Sequence, residues 1–144
     1  MLRTIVEEDA SALQQINEFS LGYKSSLQAT RQKLKTLLKD NHHYFLAYED
    51  LKTHSLVGYI HAEVYETLYA ERGFNVLGLA VLDSFQGRGV GQKLIEALEV
   101  EAKKRECGFI RLNSASHREK AHAFYEKVGY HSYKTQKHFI KQMR

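Results

Sequence analysis

The segment 82-LDSFQGRGVGQKLIEAL-98 joins an apolar strand to an amphipathic helix through a turn that is rich in glycine. The chain contains no proline, yet three of its nine glycines stand at positions 87, 89 and 91. The run NVLGLAVL leads into the turn, and Val90, Leu94 and Leu98 follow at the spacing of one helix face. A tight turn needs one or two glycines, so three indicate a surface where a ligand approaches the backbone closely.

This turn predicts a binding site for phosphate. The first amides of a helix have no partner within it, and the helix dipole adds partial positive charge there. Without β-carbons at Gly87, Gly89 and Gly91, a diphosphate can lie against these amides, and Arg88 adds a charge. The segment is neither a P-loop, which ends in Lys-Ser or Lys-Thr, nor a dinucleotide fingerprint, which needs a differently spaced third glycine. A flexible turn without a ligand is the alternative.

Length and composition favour one soluble domain. The chain has 144 residues, of which 43% are hydrophobic and 26% charged. No stretch is apolar enough for a membrane helix, and the early acidic residues, beginning at Glu7, argue against a secretory signal. The single cysteine, Cys107, excludes an intramolecular disulfide and a cysteine-based zinc site. We therefore expect one domain over residues 1–144, located in the cytoplasm, with no membrane partner.

Charge and histidine placement argue against nucleic-acid and metal sites. The net charge of +4 permits an anionic ligand. The basic residues are nevertheless scattered among acids, and the longest basic run, 103–105, is typical of a solvated helix face. A nucleic-acid binder, which steep salt dependence of binding would reveal, is the least favoured class. His42 and His43 point to opposite faces of a strand and cannot chelate together. We expect no nucleic-acid partner and no metal.

Hydrophobic periodicity predicts an α/β fold of the α+β type. Strands are predicted at 2–6, 43–48, 55–65, 75–82 and 109–115, with one or two more within 130–143, and helices at 8–19, 27–39, 90–106 and 117–128. The order β-α-α-β-β-β-α-β-α-β, with an optional last strand, gives a mixed, mainly antiparallel sheet flanked by about four helices. The continuously apolar strand at 75–82 predicts burial on both of its faces.

The glycine segment resembles the signature of the GNAT N-acetyltransferase superfamily. The motif (Q/R)-x-x-G-x-(G/A) of that family is met by Gln86, Gly89 and Gly91. A second, downstream run also matches: Arg118, Ala121, Phe124, Tyr125, Gly129 and Tyr130. The element order matches over nearly the whole chain, although the first 70 residues match only in architecture.

The resemblance implies acetyl-coenzyme A as cosubstrate. Backbone amides of the glycine turn would bind its pyrophosphate, and the strand before the turn would pair with the pantetheine arm. One amide of that strand would also donate to the thioester carbonyl, where negative charge develops. The coenzyme-binding residues implied are Leu79, Ala80, Val81, Gln86, Gly87, Arg88, Gly89, Val90, Gly91, Arg118 and Phe124. Many relatives carry asparagine where this chain has Arg118.

Acetyl transfer to an amine needs a base and a proton donor. An amine with a pKa near 10 is neutral in about one molecule per thousand at pH 7, which costs roughly 4 kcal/mol. In the resembled family the residue at Tyr125 gives the departing thiolate its proton; an aromatic core residue is the alternative. Many relatives carry a glutamate base where this chain has Leu77. The candidates for the general base are Glu63, His61, His117, His122 and water.

These expectations combine into one enzyme hypothesis. The chain is expected to be an N-acetyltransferase that moves an acetyl group from acetyl-coenzyme A to a primary amine by direct attack in a ternary complex. The acceptor would be a small molecule or a peptide. A non-catalytic sensor or scaffold that only binds coenzyme A is the alternative, because Leu77 cannot accept a proton. Homodimers are common in the resembled family, and no residue here decides that point.

Overall fold

Five strands form one sheet in the order β1-β2-β3-β4-β5 in the computed structural model, which describes residues 1–144. The strands are β1 Leu2–Arg3, β2 His43–Glu49, β3 Leu56–Thr67, β4 Ala70–Val81 and β5 Phe109–Arg111. Neighbouring strands are antiparallel except β4 and β5, which are parallel. The predicted mixed, mainly antiparallel sheet is therefore confirmed.

Four α-helices accompany the sheet, as predicted. They are α1 Ala10–Ile16, α2 Leu27–Leu38, α3 Val90–Lys104 and α4 Glu119–Lys127. The Ser26 hydroxyl caps α2 by accepting a 3.0 Å hydrogen bond from the Ala29 amide. At the end of α4, Gly129 has a φ of 99°, and the Tyr130 amide donates to the Tyr125 carbonyl at 2.9 Å. No helix has the length and apolar character that crossing a bilayer requires.

Helices cover both faces of the sheet within residues 1–112. Ile16 of α1 and Leu34 of α2 belong to the buried cluster that includes Tyr59 of β3. The residue before it, Gly58, faces α3, because a β-carbon there would lie 3.2 Å from Cγ1 of Val90. Successive strand residues point to opposite faces, so α1 and α2 pack on one face and α3 on the other.

A β-bulge interrupts β4 at Leu77. His61 of β3 lies opposite Gly78, whereas the next residue, Ala62, lies opposite Val76. Leu77 is therefore an extra residue without a partner. It is 48% exposed, so the predicted burial of this strand on both faces is wrong at this position.

The parallel pairing of β4 with β5 is short. It joins Gly73, Phe74 and Asn75 to the three residues of β5 and ends at the pair Asn75–Arg111. From Val76 onwards, β4 is paired only with β3, since β5 is the last strand of the sheet. The two parallel strands thus separate immediately beside the bulge, leaving one edge of β4 without a strand partner.

The last part of the chain differs from the prediction. No helix or strand follows Lys127, so the one or two final strands expected within 130–143 are not formed. Tyr133, Phe139 and Met143 are exposed by 91%, 85% and 83%. Strand residues need a hydrogen-bonded neighbour, and this segment pairs with none. Residues 113–144, which include α4, form a compact unit separate from residues 1–112; a single domain over the whole chain stays a prediction.

Candidate functional site

The glycine-rich turn between β4 and α3 adopts a backbone conformation that favours glycine. Gly87 and Gly89 have φ angles of 77° and 80°, in the left-handed region, and Gly89 directly precedes α3. Such angles cost a residue with a β-carbon roughly 1–2 kcal/mol. A β-carbon at either position would meet no atom within 4 Å. The glycines are thus required by the backbone, and they leave open space in front of it.

The turn has the groups that a diphosphate needs. The first hydrogen bond of α3 runs from the Lys93 amide to the Gly89 carbonyl at 3.0 Å, so the amides before Lys93 have no acceptor within the helix. The helix dipole makes these amides attractive to anions. Arg88 is exposed, with its guanidinium carbon 5.0 Å from the centre of the Phe85 ring. Backbone amides and one cation therefore suit the predicted pyrophosphate.

The strand before the turn presents an unpaired edge. Leu79, Ala80 and Val81, the residues expected to pair with the pantetheine arm, lie on β4 beyond its pairing with β5. A free strand edge offers N–H and C=O groups to an extended ligand. The Val81 carbonyl accepts hydrogen bonds from Gln86 Nε2 at 3.1 Å and Ser20 Oγ at 3.2 Å. These bonds tie the end of the edge to the turn and to the segment after α1.

The expected proton donor lies in the unit of residues 113–144. Tyr125 is a half-buried residue of α4, and its ring centroid is 5.3 Å from that of Phe124 and 6.2 Å from that of Tyr130. Burial raises the pKa of the Tyr125 hydroxyl, and the smaller influence of Arg118 opposes this. The phenol therefore keeps its proton at neutral pH and can donate it. Arg118 is exposed and precedes the first residue of α4.

Two of the candidate bases lie in the same unit as Tyr125. His117 is exposed. His122 is half-buried, and its Nε2 lies 2.9 Å from the Ala115 carbonyl oxygen. A carbonyl only accepts, so this nitrogen carries the hydrogen, which leaves Nδ1 of His122 as the acceptor.

A row of polar side chains, here called the polar row, crosses four strands on the face that α1 and α2 cover. Strand pairing places His43 opposite Glu63, Glu63 opposite Asn75, and Asn75 opposite Arg111. Asn75 Nδ2 donates to Glu63 Oε2 at 2.9 Å, and Arg111 Nη1 donates to Asn75 Oδ1 at 2.7 Å. The amide of Asn75 is thus oriented from both sides and links the Glu63 carboxylate to a cation on β5.

His61 lies beside the polar row, opposite Phe45 of β2 and Gly78 of β4. Its ring stacks on that of Phe45, with centroids 3.9 Å apart, and its Nε2 is 2.9 Å from Nδ1 of His43. Burial, and to a smaller extent His43, lowers the pKa of His61 to about 4. His61 is therefore neutral at pH 7 and retains a nitrogen lone pair.

The structure thus brings two of the four candidate side-chain bases, His61 and Glu63, to one face of β3 next to the bulge. Sequence reasoning missed the partners of these residues: His43, Asn75 and Arg111. The available signal was a polar residue within an apolar strand, as at Asn75 in NVLGLAVL and Arg111 in FIRL. Which strands pair, and in which register, could not be read from that signal.

Comparison with known proteins identifies relatives of this architecture. The chain matches the model of the "Acetyltransferase (GNAT) family" over residues 8–130. An aminoglycoside antibiotic 6'-N-acetyltransferase from Acinetobacter haemolyticus is similar in structure, with a TM-score of 0.85 and 18% identity over 100% of this chain and 99% of that one. Glucosamine-6-phosphate N-acetyltransferase from Arabidopsis thaliana has a TM-score of 0.78 and 16% identity over 100% and 98%.

A third similar structure contains a ligand. AAC(6')-Iy, in complex with the bisubstrate analogue CoA-S-monomethyl-acetylneamine, has a TM-score of 0.84 and 14% identity over 99% of this chain and 97% of that one. No curated protein matches the chain in sequence. At these identities the structural matches establish the fold.

Proposed function

This chain belongs to the acetyltransferase (GNAT) family, and on that premise we propose that it moves an acetyl group from acetyl-coenzyme A to a primary amine by direct attack in a ternary complex. The observation that carries the proposal is the left-handed glycine turn, which joins the unpaired edge of β4 to the first turn of α3. A turn that only connects a strand to a helix does not need two left-handed glycines with open space in front of them.

The donor half of the site is formed largely by backbone. Amides from Gly87 to Gly91 would hold the pyrophosphate, and Arg88 would add charge. The Gln86 amide donates to the Asp83 carbonyl at 3.2 Å, so Gln86 would support the site by holding the turn against β4 through its side chain. Leu79 to Val81 would pair with the pantetheine arm, as an added strand does, and bring the thioester to the point where β4 and β5 separate. An amide of this edge would then donate to the thioester carbonyl and favour the negative charge that forms during attack.

The acceptor half of the site would bind a cationic amine. AAC(6')-Iy was solved with an analogue that joins coenzyme A to an acetylated amine, neamine, and glucosamine-6-phosphate N-acetyltransferase is named for an amino sugar. In this chain Glu63 lies beside the bulge and is held by Asn75. A carboxylate there attracts an ammonium group, which supports an acceptor with a primary amine.

Tyr125 would complete the reaction by protonating the departing thiolate. Its raised pKa keeps the hydroxyl protonated until the thiolate forms. Removing the hydroxyl distinguishes the enzyme from a protein that only binds coenzyme A. For Tyr125→Phe we expect kcat to fall at least tenfold, with coenzyme A affinity changed less than twofold.

The test is a thiol-release assay with acetyl-coenzyme A and a panel of amines that includes kanamycin, spermidine, glucosamine 6-phosphate and a lysine-rich peptide. Release that depends on one amine class supports the proposal. Calorimetric binding of coenzyme A without amine-dependent release from any class would favour the sensor or scaffold. No binding of coenzyme A at millimolar concentration would overturn the donor site itself.

A further inference from the structure

His61 lies at the boundary between the apolar core and the polar row. On the face covered by α1 and α2, Ala47, Tyr59 and Ala80 are opposite one another and buried. His61 is the next residue of β3 on this face, opposite Gly78, which has no side chain to cover it. The polar row follows at once. The bulge at Leu77 and the separation of β4 from β5 fall at this boundary. His61 therefore lies where the apolar core ends and where β4 and β5 separate.

We infer that His61 accepts the proton which the acceptor amine loses on attack, and that His43 passes this proton to solvent. The inference rests on the proposed function and extends it by assigning the base. It also assigns a role to a residue of β2 that lies outside the glycine turn and outside α4.

The direct contact between the two rings carries the inference. Nε2 of His61 and Nδ1 of His43 are 2.9 Å apart, so one ring donates a hydrogen bond to the other. When Nε2 of His61 donates, its Nδ1 has a free lone pair, and His43 keeps its own hydrogen on Nε2. His43 is half-buried at the start of β2 and follows the exposed His42. The pair therefore connects a half-buried ring to the protein surface.

The charges around the pair suit transient protonation. Burial and the neighbouring His43 lower the pKa of His61, so the ring is neutral before attack and readily gives up an accepted proton to His43. Glu63 lies two residues along β3 and opposite His43, and Asn75 bonds both the Glu63 carboxylate and Arg111. The buried residues that α1 and α2 place on this face are apolar. Glu63 is thus the carboxylate that strand pairing places opposite His43.

The transfer balances in atoms and charge. The amine nitrogen forms a bond to the acetyl carbon, and the carbon–sulfur bond breaks. The nitrogen gives one proton to Nδ1 of His61, the Nε2 proton of His61 moves to Nδ1 of His43, and His43 releases its Nε2 proton to water. Between turnovers both rings are reset: His43 takes a proton from water on Nε2 and returns its Nδ1 proton to Nε2 of His61, while His61 loses its Nδ1 proton to water. The thiolate takes a proton from Tyr125, which regains one from water. No further reactant is required.

The kinetic test compares His61→Gln, His43→Gln and the double variant with His138→Gln, an exposed histidine of the C-terminal segment. With kanamycin as the acceptor probe, each single variant should lower kcat by about 100-fold, the lower end of what general-base catalysis contributes. The KM for acetyl-coenzyme A should stay within twofold. The double variant should be no slower than either single variant, because the two rings act in series.

A purely structural role predicts another pattern. The pair would then hold β2 against β3, so the variants would lower the melting temperature while kcat per folded enzyme stayed within twofold. A His43→Gln enzyme with normal kcat would overturn the inference. Losses of kcat that multiply in the double variant would also overturn it, because independent roles would then be acting.

A second readout does not depend on turnover. In protein labelled with ¹⁵N-histidine, NMR should show His61 neutral at pH 6, with hydrogen on Nε2 and a hydrogen bond to His43. Hydrogen on Nδ1 of His61 would overturn the inference, since that nitrogen could not accept a proton. If the wild-type protein acetylates no amine, the proposed function fails, and this spectrum still decides whether the pair has the required tautomer.

Discussion

Acid should destabilise the folded protein through His61, and the structure gives the size of this effect. Burial lowers the pKa of His61 from 6.5 to about 4. Between these values the unfolded chain binds a proton at this ring and the folded protein does not, so falling pH favours unfolding. Above pH 6.5 the ring is neutral in both states and the free energy of unfolding is unaffected. This free energy then decreases as the pH falls towards 4. At about 1.4 kcal/mol per pKa unit, the full effect is about 3 kcal/mol.

The matched comparison is the wild type against His61→Gln. Glutamine cannot titrate, so its free energy of unfolding lacks this proton-linked contribution. Carboxylates with lowered pKa, such as Asp9, which is paired with Arg3, also weaken the fold in acid. They are present in both proteins and therefore cancel in the difference. Between pH 7.5 and pH 4.5 the wild type should lose about 2.5 kcal/mol more than the variant.

Urea unfolding followed by circular dichroism, at half-unit steps of pH, measures this difference. The wild-type curve should approach the variant curve as the pH falls, with the largest slope between pH 6 and pH 4.5. A difference that stays constant within 0.5 kcal/mol over the whole range would refute the reasoning. It would mean that His61 is as easily protonated in the folded protein as in the unfolded chain.

Three further changes test other parts of the structure. Gly89→Ala, at a φ of 80°, should lower stability by about 1 kcal/mol in urea unfolding and weaken coenzyme A binding in calorimetry; unchanged binding would contradict the role of the turn. Gly73→Ala places a β-carbon 2.5 Å from the Phe109 ring, so the free energy of unfolding should fall by about 1–3 kcal/mol, and a neutral effect would show that the ring moves freely. Glu106→Gly removes a side chain at a φ of 59° and should raise the melting temperature through about 1 kcal/mol of relieved strain; a lower melting temperature would contradict this.

Local patterns made part of this structure predictable from sequence. The helix after the glycine turn was expected because Val90, Leu94 and Leu98 share one face, and all three are buried. Its C-terminal end was less predictable. The sequence pattern extends the helix to Glu106, just before Cys107 and Gly108, whereas α3 ends at Lys104 because Glu106 takes the left-handed conformation that glycine usually provides.

Features that depend on pairing between distant residues could not be predicted. The bulge at Leu77 exists only relative to β3, so an apolar run gave no sign of it. The polar row likewise joins residues from four strands, and no local spacing relates Glu63 to Arg111. The prediction of final strands within 130–143 was wrong for a related reason. Aromatic residues such as Tyr133 and Phe139 suggested strands, but no neighbouring strand pairs with them.

The free edge of β4 also has a consequence for handling the protein. An apolar strand stretch without a strand partner along one edge is a template for another chain, which is how aggregation begins. From Leu77 to Val81 this stretch contains no charged residue to discourage such pairing. A ligand that occupies the edge would act as a cap against self-association. Preparations kept saturated with coenzyme A should therefore stay clear at concentrations where ligand-free protein becomes turbid.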